Sequence, residues 1–325
     1  MYRPLRLFIG MLAIALSTLV VHADQFPSRP ITIIVPYSAG GPTDIVGRLI
    51  AESMSDTLKT RVLIENLGGA GGTRGAGQVA RAAPDGYTLL MHNIGQATSA
   101  TLYRKLPYNP LSDFEMIGLV TDVPMTLIGR TDLEPNTLGE LLTLLKTKGP
   151  EINFGHAGVG SAAHLCSLLL MSAASVQVTS IPYQGSSQSL RDIVAGQIDI
   201  GCDQTTNTSS QIRSGQVKVF AVTTPSRLKS MADVPTADEA GLTAFDISVW
   251  HGLYAPKGTP EDILKKVNEA LARALKDPRV IARFADLGTE PVAEERMSRE
   301  VHRAFFNAEV AKWRPIIEAA GAFVD

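Results

Sequence analysis

Ile31-Thr-Ile-Ile-Val35 runs directly into Pro36-Tyr-Ser-Ala-Gly-Gly-Pro-Thr-Asp44. An unbroken run of β-branched residues reads as a strand buried on both faces. Gly40 and Gly41 let the backbone turn tightly and approach another molecule. Pro42 suits a first helical turn, and Thr43 or Asp44 offers a cap. The stretch is a strand, a turn and a helix start. A second one follows, where Glu151-Ile-Asn-Phe154 leads into Gly155-His-Ala-Gly-Val-Gly-Ser161, with Ser161 as N-cap. Each turn aims the free N–H groups of a helix N-terminus at one spot, and such a spot attracts anions.

Outward from these turns, strand and helix alternate. A helix over about 44–58 carries Ile45, Leu49, Ile50, Met54 and Leu58 on one face. Strand 61–65, a glycine break at 68–72, a helix over about 76–83 and strand 88–91 follow, then a polar loop through 98. Strand 125–129 opens a second set. Thr137-Leu-Gly-Glu140 is a capping box for a helix through Lys146. Strands 151–154, 176–181, 197–202 and 217–222 alternate with helices 161–173 and 187–195, and Gly196 stops the latter. The last third is mainly helical, with stripes Ile263, Leu264, Val267, Leu271, Leu275 and Phe306, Val310, Trp313, Ile317. Such alternation indicates an α/β fold with mainly parallel sheets and ligands at the carboxyl ends of the strands.

The chain opens with a basic segment containing Arg3 and Arg6, then an apolar run from Leu7 to Val21, then Val21-His-Ala23. This is the layout of a secretory signal peptide, residues 1–23, rather than a membrane anchor, which needs about 20 apolar residues. Its removal takes away two arginines and no acid, moving the formal net charge from -2 to −4. No basic patch stands out, so nucleic acid is not an expected partner. The two cysteines, Cys166 and Cys202, suit either a disulfide or two buried thiols, and no metal-ligand spacing is present.

Five segments after strands, 36–44, 92–98, 155–164, 183–189 and 203–210, contain no Lys or Arg. An anion held there relies on backbone N–H groups, hydroxyls, amides and helix dipoles. His164 reads either as a ligand contact or as a satisfied buried histidine; Asp203 either orders the cleft or caps the next helix; Trp250 either covers the cleft or belongs to the core. No GxSxG, HExxH or P-loop occurs. Gly75–Ala80 and Gly158–Ala163 fit G-x-G-x-x-A but lack the acidic residue that dinucleotide binding requires.

The ordered set Phe26-Pro-Ser-Arg-Pro-Ile to Asp44, Val62-Leu-Ile-Glu-Asn66, Gly69-Ala-Gly-Gly72, Ala83-Pro-Asp-Gly-Tyr-Thr-Leu-Leu90, Leu106-Pro-Tyr-Asn-Pro110, Gly158-Val-Gly-Ser161, Val194-Ala-Gly-Gln-Ile-Asp199 and Ala255-Pro-Lys-Gly-Thr-Pro260 resembles the solute-binding proteins of tripartite tricarboxylate transporters, the Bug family. The resemblance spans nearly the whole mature chain. It implies a type II-like periplasmic binding protein of two α/β lobes with a ligand cleft between them. Lobe one would be 24–124 plus 226–325, and lobe two 125–225. It implies no catalysis and no cofactor. The partners would be a small organic carboxylate and integral membrane transporter subunits, with the receptor a monomer. Carried over by motif, the contacts fall on Tyr37, Ser38, Ala39, Gly40, Gly41, Thr43 and Asp44, and on Gly158, Val159, Gly160, Ser161 and Asp203. Asn93, His164 and Gln204 join them, and His92-Asn93, His156, Gln204 and His251 depart from the usual pattern as specificity positions. The favoured ligand is a dicarboxylate, aromatic (terephthalate or phthalate) if Tyr37 stacks on a ring. An exported hydrolase and a sensor subunit are the competing readings.

Overall fold

In the computed structural model, residues 26–321 and 323–324 are described, so the signal-peptide reading of 1–23 lies outside the described residues. The first half of the chain gives β1 (Ile31–Val35), α1 (Pro42–Leu58), β2 (Val62–Asn66), α2 (Thr73–Ala80), β3 (Thr88–Asn93) and α3 (Gly95–Leu102). β1 lies between β2 and β3, parallel to both, with Ile33 opposite Ile64 and Leu89. Ile31, Ile33 and Val35 are fully buried, as an unbroken apolar strand requires.

β4 (Phe114–Gly129) is one long strand of 16 residues. Between Pro124 and Met125 it changes partners. Up to Pro124, opposite Ser248, it pairs with β9 (Ser248–Pro256). From Met125, opposite Gln204, it pairs with β7 (Ile200–Gln204), and with β8 (Lys218–Val222) on its other edge. α4 (Leu138–Lys148), β5 (Asn153–His156), α5 (Ala162–Ala174), β6 (Thr179–Pro182), α6 (Ser186–Val194) and α7 (Thr205–Arg213) complete the second set. The strand order is β2-β1-β3-β9-β4-β7-β5-β6, with β8 on β4. The two flanks are parallel, as the alternation predicts. β4, which carries the chain from one half to the other, and β9 run antiparallel to their neighbours. The result is a two-lobed α/β molecule whose lobes share a central ribbon. α8 (Glu261–Leu275), α9 (Pro278–Asp286) and α10 (Arg299–Ala320) pack on the outside.

Local sequence accounts for the edges of these elements. Thr137 and Glu140 form the expected capping box of α4. Gly196, at φ +76, follows the end of α6. Leu264, Val267, Leu271 and Leu275 are buried along α8, and Phe306, Val310, Trp313 and Ile317 along α10.

Two segments read as loops are helices. β3 extends to Asn93 and α3 begins at Gly95; β7 extends to Gln204 and α7 begins at Thr205. Gly, Ser, Thr and Asn, which are poor helix formers, make up half or more of both helices. Tertiary burial holds them: Gln96, Thr98, Thr205 and Thr208 are inaccessible to solvent. Trp250 belongs to the core, its indole N–H donating to Glu309 Oε2 at 2.9 Å. Cys166 of α5 and Cys202 of β7 form a disulfide, with Cα atoms 6.2 Å apart.

Candidate functional site

Between the two lobes lies a cavity of about 10 Å³, room for about one water. Tyr37, Pro42, Thr43 and Asn93 line it from one lobe, and Ala157, Ser161–Ala163, Ser186 and Gln204 from the other. These residues stand at helix starts. Pro42 begins α1, Ser161 is the N-cap of α5, Ser186 begins α6, and Gln204 is the N-cap of α7. Four N-termini therefore converge on one small space, and the start of α3 lies just beyond Asn93. Each carries roughly half a positive charge in unsatisfied N–H groups. The lining contains no Lys or Arg.

The uncharged side chains are held in a fixed network. The single proton of the Tyr37 hydroxyl is shared between Gly71 O at 3.1 Å and Asn93 Oδ1 at 3.2 Å. Burial pushes its ionisation far above the usual phenol range, so it stays protonated. Asn93 Nδ2 donates to Thr43 Oγ1 at 3.1 Å, and His251 Nε2 lies 3.2 Å from the same oxygen. Ser161 Oγ accepts the His164 N–H at 3.2 Å, capping α5. Gln204 Oε1 is buried without a hydrogen-bond partner, a group that invites a ligand or water.

The two acids are committed to structure. Burial alone would raise the Asp44 pKa, but Arg48, the Gly40 N–H and Asn66, at 2.8–2.9 Å, together hold it below the ordinary range. Burial lifts Asp203 to about 6, against bonds from Asn207 (2.6 Å) and the Gln204 N–H (2.8 Å). His164 is nearly buried, its ring 4.8 Å from that of His156, and desolvation lowers both to about 4. Its Nδ1 accepts the Gly160 N–H at 3.2 Å.

Of the residues singled out from the sequence, Tyr37, Thr43, Asn93, Ser161 and Gln204 thus meet at the cavity. Gly40, Gly41, Asp44, Gly160, His164 and Asp203 shape the turns behind it. Ser38, Ala39, Gly158 and Val159 lie at the seam between lobes. Ser38 Oγ and Ser187 Oγ share a hydrogen bond of 3.0 Å, Ser187 donates to Ala39 O at 3.0 Å, and Tyr103 donates to Val159 O at 3.0 Å. A Cβ on Gly71 would stand 2.0 Å from Val159 O, and one on Gly158 would stand 3.2 Å from Gly71 N. Sequence reasoning marked the 183–189 segment but missed Ser186 in it; the signal was Gly185-Ser-Ser, a third turn into a helix.

The family model described as tripartite tricarboxylate transporter family receptor matches residues 46–322. The chain belongs to that family. An Agrobacterium vitis protein encoded in the TAR-I ttuE-ttuC' intergenic region is 50% identical over 298 residues, covering 92% of this chain and 86% of its own. The solved periplasmic binding protein BugD is 44% identical with a TM-score of 0.89, over 92% of this chain and 99% of that one. MatC from Rhodopseudomonas palustris, solved with bound malate, is 39% identical with a TM-score of 0.87, over 90% and 100%. The chain is therefore a binding receptor rather than an enzyme, which answers the hydrolase reading. Among the described residues no helix is long and apolar enough to cross a membrane.

Proposed function

We propose that the protein is a periplasmic solute-binding protein that captures a small dicarboxylate and hands it to the membrane subunits of a tripartite tricarboxylate-type transporter. The observation that carries this reading is the convergence of helix N-termini on a cavity lined by uncharged donors. Such a site suits carboxylate oxygens. The malate in MatC supports the same ligand class. On this reading residues 1–23 are removed on export, and the lobes are 24–124 with 226–325, and 125–225, hinged where β4 changes partners.

A space of about one water takes any dicarboxylate only with the lobes set further apart, and a short aliphatic one needs less parting than terephthalate or phthalate. Tyr37, the reason for considering a ring, meets the edge of His92 at 5.6 Å and has its hydroxyl bonded on both sides. A ring ligand would have to hold the lobes further apart. The test is calorimetric titration of mature residues 24–325, unfolded and refolded to strip carried-over ligand. The panel is malate, succinate, citrate, glutamate, terephthalate and phthalate. Saturable one-to-one binding of a short dicarboxylate is expected. Preferential binding of an aromatic acid would overturn the size argument, and no heat with any acid would overturn the carboxylate reading.

A further inference from the structure

His251 lies on β9 behind the cavity, opposite Asn93 of β3 and opposite Thr121 of β4. It is fully buried and its Nδ1 has no hydrogen-bond partner. We propose that His251 is a positioning residue: its Nε2–H donates to Thr43, which turns the Thr43 hydroxyl proton into the cavity and presents it as a donor to ligand oxygens. The proposal rests on the carboxylate reading for its consequence, but not for its geometry.

The polarity can be followed atom by atom. Asn93 Oδ1 accepts from the Tyr37 hydroxyl at 3.2 Å and from the Gly95 N–H at 2.9 Å. The Gly95 N–H can only donate, so it fixes the amide oxygen on its side and leaves the nitrogen facing Thr43. Thr43 Oγ1 must then accept from Asn93 Nδ2. The remaining contact of Thr43 is His251 Nε2, and the imidazole has two neutral tautomers. With the proton on Nδ1, a buried N–H would be left without an acceptor. With the proton on Nε2, only an acceptor lone pair is left unused, the less rare defect in folded proteins. The Val249 backbone favours a protonated ring, yet Nδ1 meets no acceptor at hydrogen-bonding geometry. The Nε2–H form therefore prevails. Both lone pairs of Thr43 are then filled, and its own proton is left to the cavity that it lines. Asn93, with one N–H given to Thr43, keeps its second N–H as a further donor.

The direct test needs no ligand. In ¹⁵N-labelled protein, with the His251 signals assigned by their loss in His251→Gln, the imidazole should carry its proton on Nε2. A proton on Nδ1 overturns the proposal. The second arm uses malate as the probe. Thr43→Val and His251→Phe should each weaken binding roughly tenfold or more, as expected for a lost bond to a charged group. The double variant should be no weaker than Thr43→Val, because both changes remove the same bond. His251→Gln, whose amide N–H reaches the same oxygen, should restore affinity to within about threefold. Additive losses, or no rescue, overturn it. If the unaltered protein binds no acid, the carboxylate reading fails while the tautomer still decides the role of His251.

Discussion

Acid should unfold this protein steeply between pH 6.5 and 5. Five described histidines, His92, His156, His164, His251 and His302, are buried. Desolvation is the main cause holding His92, His251 and His302 to about 3 and His156 and His164 to about 4. In the unfolded chain each titrates near 6.5. A depressed folded pKa gives stability that is present above 6.5 and lost as pH falls toward the folded value. Asp203 has the opposite sign. Its folded pKa is raised to about 6, so its contribution is full at low pH and lost as pH rises through 6. At pH 5 it offsets about one histidine, leaving a net uptake of roughly four protons on unfolding. That is about 5 kcal/mol per pH unit, and roughly 8 kcal/mol between pH 7 and 5, comparable to the whole stability of a domain. The assay is urea denaturation of ligand-free, disulfide-intact protein across this range. His302→Leu supplies the internal control, since neither ring nitrogen of His302 has a partner and the residue lies away from the cavity. Its slope should be shallower by about 1.4 kcal/mol per pH unit. A stability that is flat over this range, or an unchanged slope in His302→Leu, would refute the reasoning.

Two further outcomes follow from the geometry. Gly185 has φ 176, extended backbone that any residue adopts, yet a Cβ there would stand 2.0 Å from Ser38 Oγ across the seam. Gly185→Ala should weaken ligand binding by about tenfold or more through overpacking of the closed form. The ligand-free melting temperature should stay within about 2 °C. Calorimetry and small-angle scattering check it, and unchanged affinity with an unchanged radius would count against the seam. The Cys166–Cys202 disulfide closes a separation of 36 residues. Replacing both cysteines by Ala should remove roughly 2–4 kcal/mol, a fall of about 5–10 °C by calorimetric melting. A fall under about 2 °C would mean that the bond constrains little in the unfolded chain.

The legible parts of the sequence are those where one physical signal dominates. β1 reads directly because a strand buried on both faces leaves an unbroken Ile/Val run. α8 and α10 read from their apolar stripes. α3 and α7 do not, because neither has a capping side chain and their stabilising contacts are tertiary. β4 reads only as fragments, since Gly118 and Pro124 interrupt its pattern while pairing with β9 up to Pro124, and with β7 and β8 beyond it, sustains the strand. At the site, the absence of Lys and Arg from the turns is visible in sequence, and so are Thr43, Asn93 and Ser161. The part played by His251 is not, because which atom donates depends on strand register and on a neighbour's unfilled lone pairs.

The uncharged character of the site fits a receptor that must let go. The seam is closed by neutral hydrogen bonds, Ser38 with Ser187, Ser187 to Ala39, Tyr103 to Val159 and Thr98 to Gly160. Each is worth about 0.5–1.5 kcal/mol net, so together they stabilise closure by only a few kcal/mol. A ligand shifts the balance between open and closed forms only by binding one better than the other. On the proposed reading, carboxylate oxygens meet donors from both lobes only when these are closed, which supplies that difference. Once the lobes part, each half presents a helix N-terminus in water, worth about 0.3–1 kcal/mol toward an anion. A buried lysine or arginine would keep a strong charge partner on the ligand in either form. Its absence from both walls leaves retention to closure itself, so a membrane partner that separates the lobes would release the ligand without having to break an ion pair.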